Sequence, residues 1–305
     1  MTTLVFGHKS PDTDSTGSPI IWAWYLNETG TPAKAALLGE PNTEAAFVLR
    51  HWGLDKPEII ADVTADDKVV VVDTNNPAEL PPSINVAQVQ AIIDHHMLVG
   101  GLKTTTPIDI TIRPLACTAT IMHDLMGETL AKAPKAIKGA MLSCILSDTL
   151  EFRSPTTTAH DKAVAEKLAK DLGISLNDLA TKMFEAKSDV SAFSDAELLR
   201  MDSKEYNVAG KELRVSVLET TAPKIVLDRK ASLMRSMVDV AKEDGADQVL
   251  LFVVDILREE ATLLVPNDLV KQLAEASFGC KVTGDTVVLP GIMSRKKQII
   301  PALKL

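Results

Sequence analysis

Carboxylates and imidazoles stand at the ends of four apolar runs in the first half of this chain. His8, Asp12 and Asp14 follow Thr3-Leu4-Val5-Phe6-Gly7, and Asp73 follows Val69-Val70-Val71-Val72. Asp94-His95-His96 follows Val89-Gln90-Ala91-Ile92-Ile93, and Asp148 follows the run from Met141 to Ser147. Brought to one place without a cation, these carboxylates would repel one another, so the pattern predicts a di-metal site. The set His8, Asp12, Asp14, Asp73, His95 and Asp148 is rich in oxygen, has two nitrogens and no thiolate, which suits Mn²⁺, Co²⁺ or Mg²⁺ better than structural zinc. Four carboxylates against two divalent cations give a near-neutral cluster, and a water bridging such cations is acidified enough to attack near neutral pH.

Each segment also has a plainer reading. Ser10-Pro11-Asp12-Thr13-Asp14-Ser15 has the composition of a turn and helix cap, and an aspartate after a strand is often an N-cap, which applies to Asp73 and Asp148. Asp94-His95-His96 is the most specific motif, because adjacent imidazoles after a buried strand must be desolvated or liganded. Neighbouring side chains on an extended segment point in opposite directions, so one histidine can bind metal while the other faces substrate. His51, His123 and His160 lie inside helical patterns and are expected to be structural or exposed.

Elements that could gather these residues follow from periodicity. Short continuous apolar runs alternating with helical patterns read as buried parallel strands joined by crossover helices. Such strands present their carboxyl ends on one sheet edge, where α/β folds carry their sites. Helical patterns fall at Glu44 to Trp52, Thr118 to Met126, Lys135 to Ile145, Thr158 to Leu172 (capped by Thr156, Thr157 or Thr158) and Ser175 to Ala186. The pattern then changes. Lys204 to Val208 and Glu212 to Glu219 alternate around Ala209-Gly210-Lys211 as an antiparallel hairpin, and further strands at Val249 to Leu257 and Ala261 to Val265 alternate with helices at Leu233 to Glu243 and Leu269 to Ala276. The expected architecture is an α/β domain with a parallel sheet flanked by helices over residues 1–188. A small polar hinge linker over 189–194 would join it to a smaller α+β domain with a mixed or antiparallel sheet over 195–305.

Composition narrows the function further. A chain of 305 residues can bury two cores, and no apolar run approaches the ~20 residues of a membrane span. The N-terminus lacks the basic and long apolar regions of a signal peptide, and three scattered cysteines read as free thiols of a reducing compartment, so a cytoplasmic protein is expected. A net charge of −9 argues against a nucleic-acid or membrane-surface protein, and 4% aromatic residues supply few platforms for stacking bases. A near-neutral metal centre needs added positive charge to hold a highly anionic substrate. Ser294-Arg295-Lys296-Lys297 supplies such a run, with Lys204 a further candidate.

In their order, Gly7-His8-Lys9-Ser10-Pro11-Asp12-Thr13-Asp14-Ser15, Val72-Asp73, Asp94-His95-His96, Cys117-Thr118-Ala119-Thr120, Ser147-Asp148-Thr149 and Ser294-Arg295-Lys296-Lys297-Gln298 span nearly the whole chain. Together they resemble the family II (manganese-dependent) inorganic pyrophosphatases of the DHH phosphoesterase superfamily. The resemblance implies an N-terminal DHH domain, a C-terminal substrate-clamping domain, a homodimer formed through the N-terminal domains, two Mn²⁺ per subunit with Co²⁺ as a substitute, and Mg²⁺ accompanying pyrophosphate. It implies that His8, Asp12 and Asp73 hold one Mn²⁺ and that Asp14, Asp73, His95 and Asp148 hold the other. His96 would contact substrate and assist the leaving phosphate, Ser294, Lys204, Arg295 and Lys296 would grip phosphates, and Asp94 would orient a histidine. One departure marks this chain, since many members follow the bridging aspartate with His-Asn-Glu and here Thr74-Asn75-Asn76 stands. The alternative within the superfamily is a phosphodiesterase of short oligonucleotides or cyclic dinucleotides. Those relatives typically carry a glycine-rich segment with a histidine near the C-terminus, where this chain has Pro290-Gly291-Ile292-Met293. A non-catalytic metal-dependent scaffold would have no use for so complete a ligand set.

Overall fold

The run of four valines sets the centre of the first unit, because a strand apolar at every position must be covered on both faces. In the computed structural model, which describes residues 2–304, the chain divides into two compact units at the Lys187–Ser188 bond. Strands β1 (Thr3–Phe6), β2 (Ala33–Leu37), β3 (Glu58–Ile59), β4 (Lys68–Val72), β5 (Gln88–Asp94) and β6 (Asp109–Ile112) form one sheet of order β3-β2-β1-β4-β5-β6. Every pairing in it is parallel. The chain builds outward from β1 to β3, then returns to lay β4 on the other side of β1. That reversal opens a crevice at the carboxyl ends of β1 and β4, the usual place for a site in an open α/β sheet. His8 lies just past β1 and Asp73 just past β4.

Helices α1 (Thr13–Glu28), α2 (Thr43–Trp52), α3 (Thr118–Met126), α4 (Lys135–Asp148), α5 (Ala159–Leu172) and α6 (Leu176–Lys187) complete this unit. Their ends follow the sequence signals: Asn42 caps α2, Thr158 forms a capping box with Asp161 at α5, and Gly53 and Gly173 close α2 and α5 in left-handed conformations. One element differs from expectation. The run from Met141 to Ser147 carries two overlapping expectations, a fourth apolar strand and the helical pattern from Lys135 to Ile145. The helix is the one formed: the run is the second half of α4, and Asp148 sits at a helix C-terminus instead of a strand end. Gly139 to Ser147 are all buried, so this helix shows no polar face, and a helix covered all round has no period to distinguish it from a buried strand. Two glycines let the helices approach. A Cβ on Gly17 of α1 would stand 2.4 Å from Cys144 Sγ, and one on Gly139 would stand 2.2 Å from the Trp52 ring.

In the second unit α7 (Asp195–Met201), β7 (Ser203–Val208), β8 (Lys211–Thr220), α8 (Pro223–Leu227), α9 (Lys230–Glu243), β9 (Gln248–Asp255), β10 (Glu260–Leu264), α10 (Asp268–Phe278) and β11 (Thr286–Pro290) follow in turn. The sheet order is β11-β10-β9-β8-β7, mixed because β8 and β9 run parallel while the other neighbours are antiparallel. Strand β9 is buried at every position. Val249, Leu251 and Val253 pack with Leu233 and Met237 of α9, while Leu250, Phe252 and Val254 pack with Val270 and Leu273 of α10. The β7–β8 hairpin turns through Ala209 and Gly210, both at positive φ, the handedness that matches strand twist.

Residues 189–194, read as a small polar hinge linker, make contacts within the second unit. Val190 joins its core, and the Arg229 guanidinium donates to the carbonyls of Val190 and Phe193 at 3.0 and 2.9 Å and to the Asp195 carboxylate. Small polar composition describes a segment held by backbone carbonyls as well as a loose one, and the arginine that holds it lies more than thirty residues away in sequence.

Gly139→Ala is expected to lower stability by about 1–2 kcal/mol despite the better helix propensity of alanine, because overpacking against a fixed indole outweighs that gain. The urea midpoint measures it, and an unchanged or higher midpoint would show that Trp52 can yield.

Candidate metal centre

Asp73 is the residue about which the cluster is arranged. Directly after β4 its backbone turns left-handed, with φ 57, while its N–H still donates to Ile93 O at 2.9 Å. A left-handed conformation costs a non-glycine residue of order 1 kcal/mol. The added parallel-sheet bond and a bond from Thr118 Oγ1 to Asp73 Oδ1 at 3.2 Å hold it there. The two carboxylate oxygens face opposite partners: Oδ2 lies 3.5 Å from His8 Nε2, and Oδ1 lies 3.3 Å from His95 Nε2.

The neighbouring carboxylates come from two helices. Asp12 caps α1, its Oδ1 accepting from Ser15 N at 2.9 Å, while Oδ2 lies 3.8 Å from His8 Nε2. Asp14, in the first turn of α1, accepts from Ser18 Oγ at 2.5 Å and from Thr118 N at 2.7 Å. Asp148, at the end of α4, has a buried Oδ2 with no hydrogen-bond donor among the described residues. Ligand-type atoms converge within 4.8 Å in three groups: His8, Asp12 and Asp73; Asp73, His95 and His96; and Asp14, Cys117 and Asp148. All six expected metal ligands therefore fall in one cluster, linked by Asp73 and by Thr118, which bonds both Asp73 and Asp14. The plainer reading of Asp12 as a helix cap holds, and its second oxygen faces the cluster.

The two adjacent histidines have different settings. Nδ1 of His95 lies 3.2 Å from Leu115 O, an acceptor only, so Nδ1 carries the proton and Nε2 turns its lone pair toward Asp73 Oδ1. A lone pair facing a carboxylate oxygen calls for a cation or a proton between them. His96 is half exposed, and its Nδ1 donates to the buried Asp94 Oδ1 at 2.9 Å, closer than the 3.9 Å to Asp73. The Asp94 hydrogen bond raises the His96 pKa above its ordinary value, against burial and the neighbouring His95. Burial pushes Asp94 up, but donors from the His96 ring and backbone and from Asn75 hold it below the usual carboxylate range.

Sequence reasoning gave no part in the site to Thr74, Asn75, Asn76, Glu44 or Cys117. Asn75 donates to Asp94 and to Met97 O at 3.0 Å and accepts from Val99 N at 2.8 Å, tying the loop after His96 back to β4. Thr74 donates to Glu79 at 2.7 Å and Asn76 caps the next short helical turn, so Thr74-Asn75-Asn76 serves as scaffold for the site. Glu44, fully buried in the first turn of α2, accepts from Thr13 Oγ1 at 3.0 Å and Ser147 Oγ at 2.8 Å and lies 3.4 Å from Lys187 Nζ. It thus links the residue between Asp12 and Asp14 to the residue before Asp148. An acidic residue in the first turn of a helix is ordinary, and nothing in the sequence separates Glu44 from that background. Cys117, read as a plain buried thiol, stands in the cluster, and burial with the nearby Asp14 and Asp148 pushes its pKa far up, so it is a neutral thiol. His123 and His160 instead share Asp124, and His51 stacks on Phe47.

In the second unit Lys204 and Lys296 are exposed. Ser294 caps the turn Arg295–Ile299, a five-residue π-helix of the kind common at functional sites. Arg295 is half-buried, with Nη2 2.7 Å from Asp202 Oδ1 and Nη1 2.8 Å from Asp202 O.

Residues 2–148 match the model of the DHH family N-terminal domain, and residues 181–305 match that of the DHHA2 domain. A Deinococcus radiodurans protein named "Probable manganese-dependent inorganic pyrophosphatase" is 40% identical over 308 residues, covering 98% of this chain and 97% of its own. The chain belongs to the manganese-dependent inorganic pyrophosphatases. A Lactobacillus acidophilus member with the same name is 34% identical over 302 residues, covering 98% of this chain and 97% of its own. The solved structure of a Methanococcus jannaschii protein assigned to the family II inorganic pyrophosphatases superposes with a TM-score of 0.61 at 34% identity, covering 99% of this chain and 98% of that one. An exopolyphosphatase-related protein from Bacteroides fragilis, 13% identical with a TM-score of 0.52, shares the fold.

The electrostatics of this pyrophosphatase cluster fit a divalent cation. Burial raises Asp73 well above the carboxylate range, and repulsion from Asp14 and Asp12 adds to it. Burial, then Asp14, Asp73 and Asp12, raises Asp148 in the same way. Oxygen and nitrogen donors around carboxylates that burial and repulsion disfavour as anions, one of them with an unpartnered oxygen, are what Mn²⁺ would satisfy. Carboxyls whose pKa values rise on folding stabilise the metal-free fold at low pH, and that contribution is lost as pH rises through their folded pKa values. Mn²⁺ must displace those protons, so its gain in melting temperature is expected to be several degrees larger at pH 8 than at pH 5. A gain that is equal or greater at pH 5 would contradict the raised carboxyls.

Proposed function

We propose that this chain hydrolyses inorganic pyrophosphate to two orthophosphates at a centre of two manganese ions. The observation that carries this reading is Asp73, a buried carboxylate whose two oxygens face His8 and His95 separately. His8, Asp12 and Asp73 hold one ion, and Asp14, Asp73, His95 and Asp148 hold the other. A cation held by these residues would offset phosphate charge and lower the pKa of a water for attack on phosphorus. Asp94 secures the Nδ1 proton of His96, leaving Nε2 to meet substrate and protonate the leaving phosphate. Lys204, Ser294, Arg295 and Lys296 grip the phosphates, with Co²⁺ as a substitute metal and Mg²⁺ arriving with pyrophosphate. No helix among the described residues is long and apolar enough to cross a membrane, and the protein works in the cytoplasm as a homodimer through its first unit, without nucleic acid.

Phosphate release from pyrophosphate, from adenosine 3′,5′-bisphosphate and from a short RNA, each with Mn²⁺ and Mg²⁺, tests the substrate. Pyrophosphate is expected to be turned over fastest by a wide margin, and preference for either nucleotide substrate would overturn the reading.

Within this scheme His95→Gln lowers bound manganese, whereas His96→Gln keeps the metal and loses about 10²–10⁴-fold in kcat, the usual contribution of a general acid. Metal analysis beside kinetics separates the two, and equal metal loss in both variants would contradict the division of labour.

A further inference from the structure

We infer that Asp202 is the positioning residue of the phosphate grip, holding the Arg295 guanidinium by one edge so that its other edge faces substrate. The inference rests on the pyrophosphatase reading above. A guanidinium has two edges that can each make paired bonds: the end formed by Nη1 and Nη2, and the side formed by Nε and one Nη. In this chain the end is occupied, with Nη2 on Asp202 Oδ1 at 2.7 Å and Nη1 on the Asp202 carbonyl at 2.8 Å. Nη2 pairs with Asp202 Oδ1 as an ion pair and Nε has no bonded acceptor among the described residues, so the side edge formed by Nε and Nη2 can meet an oxyanion.

Both ends of the contact are fixed. The Arg295 side chain is only 14% exposed. Its turn is secured by Gln298, whose Oε1 accepts from Met293 N and Ser294 N at 2.9 Å each and whose Nε2 donates to Gly291 O at 2.6 Å. Asp202 stands between α7 and β7, where its carbonyl also accepts from Val217 N at 2.9 Å, and its carboxylate is 58% exposed. Two residues further on is Lys204. One aspartate therefore ties the arginine of the C-terminal turn to the strand that carries the lysine. An exposed ion pair contributes little to stability, so the role open to Asp202 is orientation: a flexible side chain held in one rotamer loses less entropy when it meets phosphate.

The test is steady-state hydrolysis of magnesium pyrophosphate by the manganese-loaded full chain. Asp202→Ala is expected to raise KM about tenfold with a smaller change in kcat, the mark of a grip made in ground and transition states alike. Melting temperature and manganese content should be those of the parent. Asp202→Asn, which keeps an oxygen acceptor for Nη2, should recover most of the loss. In an Arg295→Ala background Asp202→Ala should add nothing, because the two act as one unit. A parental or lowered KM for Asp202→Ala, or an equal loss in both backgrounds, would overturn the inference. If Arg295→Ala itself leaves KM unchanged, the grip assigned to Arg295 fails instead.

Discussion

Negative charge held out of water against its own repulsion is the constraint on which the first unit depends. Asp14, Asp73 and Asp148 converge in a buried region with Asp12 at its edge, and burial and mutual repulsion both oppose their ionisation. The protein satisfies this charge only in part. Ser15 N serves one oxygen of Asp12, Ser18 and Thr118 serve Asp14, Thr118 serves one oxygen of Asp73, and Asp148 Oδ2 has no donor among the described residues. A fold that supplies donors on the outer sides of its carboxylates and leaves the inner sides open has a place for cations at the centre. The hydrolytic activity follows from that incompleteness.

A second layer of polar groups keeps the first in place. Asp94 receives both backbone amides of the histidine pair and the His96 ring, and Asn75 braces Asp94 from the loop after β4. Glu44 does the same for the helical side, bonding Thr13 and Ser147 with one oxygen. Both carboxylates are fully buried, so these bonds act in a medium of low dielectric, where they fix geometry more firmly than they would at a surface.

What could be read from the sequence divides along physical lines. The strands β1, β4 and β5 were legible because a strand covered on both faces must be apolar throughout, and their polar terminators fell where the sheet edge requires. The same rule drew Met141 to Ser147 as a strand against the overlapping helical pattern from Lys135 to Ile145, since a helix buried on all sides obeys it equally well. Asp94-His95-His96 was legible because so polar a motif after a buried strand is costly without partners. Glu44 and Thr118 were not, because their roles arise from what faces them across the fold, and a first-turn glutamate or threonine is ordinary in composition. Cys117 was read correctly as a buried free thiol, while its place among the carboxylates depended on packing of α3 against α1 that no local pattern encodes. In the second unit the strand from Val249 was legible as a continuous apolar run, whereas its packing between two cores and the contacts of residues 189–194 with Arg229 were long-range events.

Asp12 serves two masters through its two oxygens, one on the first turn of α1 and the other toward His8. A helix cap contributes about 1 kcal/mol to stability, and the helix it caps also carries Asp14 and the close glycine contact with α4. Changing Asp12 to adjust the cluster therefore also loosens the scaffold on which Asp14, another of its carboxylates, stands. Variation at this position is penalised twice, and a redesign of the site that spared the fold would first have to supply α1 with a different start.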